Sequence, residues 1–192
     1  MKIELRPLSE IQPYPNNPRI NDDAVDAVVA DVAGGLHWFG VSGSGWKGAC
    51  RSSTTDVATT ADGSGVMTVS FNGTVDASGS ARVRGKAPSL RSGEGVTAIS
   101  STPGGDGYWL VTTRGRVLPY GDAGDFGDLG SKPLNGPIID AVATPSGRGY
   151  YLVGSDGGVF AFGDARFRGS MGGAVLNGPI RGLVPAADGG GY

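Results

Sequence analysis

The chain is poor in the side chains on which most protein chemistry depends. It holds one cysteine, Cys50, and one histidine, His37, in 192 residues. A single cysteine excludes an intrachain disulfide, and neither residue lies in a motif that would build a Cys–His nucleophile pair. Charged residues make up 18% of the chain and the net charge is −2. There is no basic run, so the field that draws in nucleic acid or an anionic membrane is missing. No apolar run approaches the roughly 20 residues of a membrane-spanning helix. The start, Met1-Lys2-Ile3-Glu4-Leu5-Arg6, lacks the apolar centre of an export signal, so none is expected in the chain as written.

Glycine is what the chain has in excess: 36 of 192 residues, against a usual level of about 7%. No three-residue period accompanies it, which excludes a collagen-like helix. Many tight turns between short strands would use it. All the glycines lie after residue 33, whereas residues 1–33 hold four of the twelve prolines and a net charge of −3, against +1 for the rest. Such a break marks a boundary.

Beyond it the sequence repeats. Residues 107–148 and 149–190 are identical at 18 of 42 positions, concentrated in Gly-Tyr-x-Leu-Val, Gly-x-Val, Gly-Asp-Ala and Leu-Asn-Gly-Pro-Ile. Stepping back by 42, Gly65-Val66-Met67-Thr68-Val69 aligns with Gly107-Tyr108-Trp109-Leu110-Val111, and Gly85 with Gly127 and Gly169. A fixed period of this length signals one supersecondary unit used repeatedly. In the best copy, 138–143, 150–154, 159–162 and 166–168 read as four short strands between Gly/Asp/Ser turns. The expected fold is mainly β: four-stranded antiparallel blades in a partial, open or truncated β-propeller, with a short N-terminal α-helix. Full units span about 54–94, 95–136 and 137–178, with partial units at Trp38–Gly43 and Ile180–Val184. Closed propellers have roughly four to eight blades. An open arc would leave strand edges for self-association, or for cover by residues 1–33 or a second copy.

Residues 1–33 read differently. Lys2–Leu5 can form a strand, and Pro13, Pro15 and Pro18 force an extended path. Asn21 is a suitable N-cap, Asp22 and Asp23 suit a first helical turn, and Val25, Val28, Val29 and Val32 share one helical face. A helix over 22–33 follows, with Gly34-Gly35 as its stop.

Candidate sites each carry two readings. Asp122, Asp125 and Asp128 suggest a calcium loop or turn aspartates bonding backbone amides; the other units keep only Asp164. Arg82, Arg84, Arg166 and Arg168 recur in phase, as an anion-facing stripe or as solvated edge charge. Trp109 and Tyr150 can stack on a sugar ring or pack between blades. The partner-binding candidates are therefore Arg166, Arg168, Tyr150 and Trp109. Gly154-Ser155-Asp156-Gly157-Gly158 lacks the Lys-Ser/Thr and helix of a phosphate loop. No catalytic residue, metal site or cofactor is expected.

Two resemblances add to this. Leu8-Ser9-Glu10-Ile11-Gln12-Pro13-Tyr14-Pro15-Asn16-Asn17-Pro18-Arg19, with Asn21-Asp22-Asp23-Ala24-Val25, resembles the opening of the ParB/sulfiredoxin-like domain. That implies nucleotide contact at Asn17, Pro18 and Arg19, and DNA as a partner if the segment functions; the domain's second box is absent here. Gly149–Ile180 closely resembles tandem repeats of large extracellular and cell-wall-associated actinobacterial proteins; the copy from Gly107 resembles them well and the copy from Gly65 poorly. This implies a propeller-like fold and a binding or display role, and no catalytic residues. The two imply different compartments, so localisation stays open. The favoured function is a non-enzymatic binding scaffold for a protein or glycan met by the blade loops. The alternatives are a ParB-like DNA-associated protein or a chimeric chain without an evolved function.

Overall fold

A computed structural model describes residues 54–178, 180–186 and 191–192, and the backbone of two strands, β1 (Ala27–Ala30) and β2 (Leu36–Phe39), which pair antiparallel. Nine further strands follow. β3 (Thr54–Thr59), β4 (Gly65–Ser70) and β5 (Val75–Gly79) form one antiparallel sheet. β6 (Val96–Ser101), β7 (Tyr108–Thr112) and β8 (Val117–Tyr120) form the second. β9 (Ile138–Ala143), β10 (Gly149–Gly154) and β11 (Val159–Gly163) form the third. Each is a meander with its middle strand central, and equivalent residues recur every 42 positions.

The middle strands are buried along their whole length. That is why their sequences are continuous runs rather than an apolar–polar alternation. One core cluster lies between the first and second sheets and includes Met67, Val69, Ala87, Val96, Tyr108 and Leu110. Another lies between the second and third and includes Trp109, Val111, Leu129, Ile138, Tyr150 and Leu152. We call each such packed boundary a seam.

Two glycines per unit hold the geometry. Gly79, Gly121 and Gly163 have φ of 64°, 67° and 64°, a region that costs an L-residue about 1–2 kcal/mol. A side chain there would overlap the carbonyls of Ser64, Asp106 and Arg148. Their partners Gly65, Gly107 and Gly149 are as tightly enclosed by backbone. The repeated glycines thus mark a close crossing at the end of the β4–β5, β7–β8 and β10–β11 ladders.

The first strand of each sheet carries a register shift at one position: between Thr54 and Asp56, between Val96 and Ala98, and opposite Val153/Gly154. A bulge re-aims the side chain it displaces. The hydroxyls of Thr55 and Thr97 accordingly reach the next sheet, at Val96 O (3.0 Å) and Ile138 O (3.1 Å).

Two expectations are corrected. The sheets have three strands, not four. The fourth segment is not laddered because tyrosine hydroxyls and the turn glycines take its backbone groups. Tyr151 Oη accepts from Arg166 N (2.9 Å) and donates to Arg166 O (3.1 Å), and Met171 N donates to Gly157 O (2.9 Å). The helix expected over 22–33 is overturned at Ala27–Ala30, which is strand. Val28 and Val29 are β-branched, stiff in a helix and well suited to a strand, and here the backbone pairs with Leu36–Phe39. The remainder of that span, and the strand expected at Lys2–Leu5, lie outside the described residues. No helix occurs among the described residues.

Candidate functional site

The polar groups that recur in every unit serve the framework. The hydroxyls of Thr60 and Thr102 bond both ways with the backbone of the glycine five residues on, accepting from Gly65 N at 2.9 Å and Gly107 N at 3.1 Å, and that of Thr144 donates to Gly149 O at 3.2 Å. The aspartate of Gly-Asp-Ala accepts from that threonine, Asp122 at 2.7 Å and Asp164 at 2.9 Å. Bonds from Ser146 and Thr144 hold the Asp164 carboxyl below its usual range. Asp125 and Asp128 accept from the amides two residues on, Gly127 (2.9 Å) and Gly130 (3.0 Å). These are turn aspartates, each occupied locally.

The tyrosines clasp the seams. Tyr108 Oη donates to Gly85 O and accepts from Arg84 N (3.1 Å) and Gly85 N (3.0 Å). Tyr150 Oη donates to Gly127 O (2.6 Å) and accepts from Phe126 N (3.3 Å). Burial pushes its pKa up to about 12. Tyr192 repeats the arrangement, with Gly169 O as acceptor and Arg168 N as donor. In all three the hydroxyl spans 23 residues, which explains why Gly85, Gly127 and Gly169 keep phase.

This places the partner-binding candidates. Trp109 and Tyr150 are enclosed in the second seam, ring centroids 5.8 Å apart, with Trp109 Nε1 donating to Gly124 O at 2.7 Å. Arg166 and Arg168 are exposed. Arg166 lines a groove of about 200 Å³ with Thr144, Ser146, Tyr151, Asp164 and Pro185. Arg84 pairs with Asp106 at 2.7 Å on the same side of the sheets. The structure packs Trp109 against Tyr150 inside the seam and leaves Arg166 and Arg168 at the surface. Asn17, Pro18, Arg19 and Cys50 lie outside the described residues.

Two larger grooves lie at the opposite end, by the β7–β8 and β10–β11 turns. One, of about 420 Å³, has Thr113, Arg114, Lys132, Pro133 and Asn135 in its wall. The other, of about 480 Å³, shares Asn135 and has Ser155, Asp156 and Leu176. Beside the first of them, against Gly130, sits a buried ion pair that sequence reasoning missed. The Glu94 side chain is fully enclosed and its Oε2 accepts from Arg116 (3.0 Å) and from Arg91 N (2.9 Å). Burial pulls its carboxyl upward, but the Arg91 amide, the Thr112 hydroxyl and Arg116 together hold it below the usual range. The signal was present: Glu94 stands where the next unit has Gly136.

Nearer the line of first strands, Asp56 accepts from Val57 N and, across the seam, from Ile99 N, both at 2.8 Å. Burial outweighs these bonds and, with Asp140 adding repulsion, lifts the Asp56 pKa to about 6. Among the described residues no group of three or more His, Cys, Asp or Glu side chains is gathered as metal ligands, and no helix is long and apolar enough to cross a membrane.

No protein-family model matches the chain, and no curated protein matches it. Among solved structures it is similar to the β-propeller domain of Cps50 (Swd1) from Myceliophteria thermophila, at 13% identity and a TM-score of 0.42. The match covers 59% of this chain and 36% of that one, so the chain spans about a third of that domain's length. The blade-like stacking described above stands on the seams themselves.

Proposed function

We propose that the chain is a non-enzymatic binding scaffold of β-propeller type, which meets a protein or glycan partner through the turns at the β4–β5, β7–β8 and β10–β11 end. One observation carries this. The units keep the glycine crossings and the seams keep the tyrosine clasps, while these turns diverge. The turns read Phe71-Asn72-Gly73-Thr74, Thr113-Arg114-Gly115-Arg116 and Ser155-Asp156-Gly157-Gly158. Only the glycine is retained, because its φ is +83°, +70° and +82°, a region other residues rarely adopt. The remaining positions change from neutral to basic to acidic, and those of the second and third turns rim the two larger grooves. Rigid scaffolds with variable loops are where recognition is commonly placed. Arg166 and Arg168 are a second candidate contact at the other end. Trp109 and Tyr150 would act through the framework.

The test is a glycan array and a peptide display library screened with the full chain, followed by paired variants. A ligand should bind the parent chain and be lost in Arg114→Glu with Lys132→Glu, while Arg166→Glu with Arg168→Glu leaves it intact. The converse pattern would move the site to the other end. Turnover of a generic substrate with no ligand bound would end the scaffold reading.

A further inference from the structure

At the β4–β5 turn two apolar side chains occupy the space beside the turn. The Phe71 ring lies so close over Gly95 that a β-carbon there would overlap it. Leu90 packs against the first core cluster. One period later all three positions have changed: Thr113 stands in place of Phe71, Lys132 in place of Leu90 and Pro137 in place of Gly95. Thr113, Lys132 and Pro137 line the groove of about 420 Å³. It opens where the first unit has a ring and an aliphatic side chain, between the β7–β8 turn and the segment that leads into β9.

Cations surround this groove. Arg114 and Lys132 stand in its wall, both exposed. Arg91 reaches across from the preceding unit, its Nη1 donating at 3.1 Å to the carbonyl of Gly130, which lines the same groove. Arg114 reaches the other way, its Nη2 donating to Ser92 O at 3.2 Å. Each bond uses one of a guanidinium's five donors and leaves the others for a ligand. The carboxylates beside the groove are engaged: Glu94 is enclosed against Arg116, and Asp128 accepts from Gly130 N. Among the described residues none of Arg91, Arg114 and Lys132 forms an ion pair. The framework does not call for these charges. The first unit has Asn72 and Leu90 in place of Arg114 and Lys132, and the third has Asp156 and Ala174.

We propose that this groove binds an acidic segment of a partner protein, its carboxylates received by Arg114 and Lys132 with Arg91 at the edge. This rests on the scaffold reading above, whose partner it specifies. Guanidinium forks and an ammonium group match carboxylates in charge and in donor geometry. A neutral sugar or a nucleic-acid base is held best on an aromatic face, and no aromatic residue is among those lining the groove. A long anionic polymer is also a poor occupant. Asn135 is shared with the adjoining groove, whose wall carries Asp156. A chain of uniform negative charge would run from the cations onto that carboxylate. A peptide can change sign along its length, and a basic residue after its carboxylates would meet Asp156.

The probe is a synthetic peptide with two adjacent glutamates and a lysine three residues on, titrated into the full chain by calorimetry at low ionic strength, where screening is weak. The same peptide with both glutamates changed to glutamine, and polygalacturonate, are the comparisons. We expect saturable binding of the acidic peptide, and binding about tenfold weaker or worse for the glutamine peptide and for the chain carrying Arg114→Gln with Lys132→Gln. Thr113→Phe with Pro137→Gly restores the filled arrangement of the first unit and keeps every cation. It should weaken binding to a similar degree, which separates a shaped groove from a merely charged surface. Absence of saturable binding, or undiminished binding by the glutamine peptide or by either altered chain, would overturn the proposal. Polygalacturonate bound through Arg114 and Lys132, with the peptide unbound, would overturn it and leave the scaffold reading standing. Binding lost only in Arg166→Glu with Arg168→Glu would overturn both.

Discussion

The two complete seams share a backbone plan and differ in what fills it. The first is aliphatic, with Met67, Val69 and Ala87 against Val96 and Leu110. The second is aromatic at the equivalent places: Trp109 stands 42 residues after Met67, and Tyr150, Phe126 and Phe162 crowd together with centroids 5.6–5.8 Å apart. The first ties its inner strands with a carboxylate, Asp56 to Ile99 N; the second uses a hydroxyl, Ser100 to Ala143 N at 3.1 Å. What both keep is the glycine crossing and the tyrosine clasp. A repeat tolerates change in its filling as long as the backbone meets itself at the same points, which is how the unit from Gly65 can look so degenerate and still make the same sheet.

The comparison breaks most easily at the position of Met67 and Trp109. Trp109→Ala removes a fully buried indole and its bond to Gly124 O; truncations of this kind cost about 3–5 kcal/mol. Met67→Ala should cost less, toward ~2 kcal/mol. Urea unfolding of both variants checks the order, and equal losses would show that the two seams are not differently filled.

The clasps offer a smaller and sharper contrast. Tyr108→Phe strands two amides and one carbonyl, whereas Tyr150→Phe strands one carbonyl and one amide held at 3.3 Å. Each buried group left unpaired costs about 1–3 kcal/mol. The Tyr108 variant should therefore be the less stable of the two by ~1 kcal/mol in chemical denaturation.

A third contrast is in pH. Asp56 has a folded pKa near 6 against an ordinary value of 3.8. Its stabilising contribution is full below pH 3.8, where both states are protonated, and fades as pH rises through 6, where the folded state must carry a buried charge. The span corresponds to about 2–3 kcal/mol. Glu94 and Asp164, whose pKa values are depressed, act in the opposite direction as pH falls. The measurement is consequently the difference between the parent chain and Asp56→Asn. Relative to the variant, the parent should lose stability between pH 4 and pH 6, and a flat difference would remove Asp56 from the seam's pH response.

Much of this was legible in the sequence. Gly-Tyr-x-Leu-Val and the Asp-Gly turns place β10 and β11 to within a residue, because period, β-branching and turn glycine are all local signals. The fourth strand was misread for a non-local reason: Arg166–Arg168 has strand-like composition, but the hydroxyl of Tyr151, 15 residues earlier, takes its backbone groups. The span 22–33 spaces its valines as a helix would, yet pairing with Leu36–Phe39 decided Ala27–Ala30. The grooves at the β7–β8 and β10–β11 end were not legible, since Arg114, Lys132 and Asn135 meet only once two sheets have stacked.

The stacking itself is tested most directly by native-state amide hydrogen exchange at Val96 and Ile138. These amides donate to Phe71 O and Thr113 O, in the turns of the preceding sheets, at 2.9 Å each. Protection comparable to that of the ladder amides of β4 and β7 is the predicted result. Exchange at the rate of an open peptide, with the ladders still protected, would mean that the sheets form but do not stack.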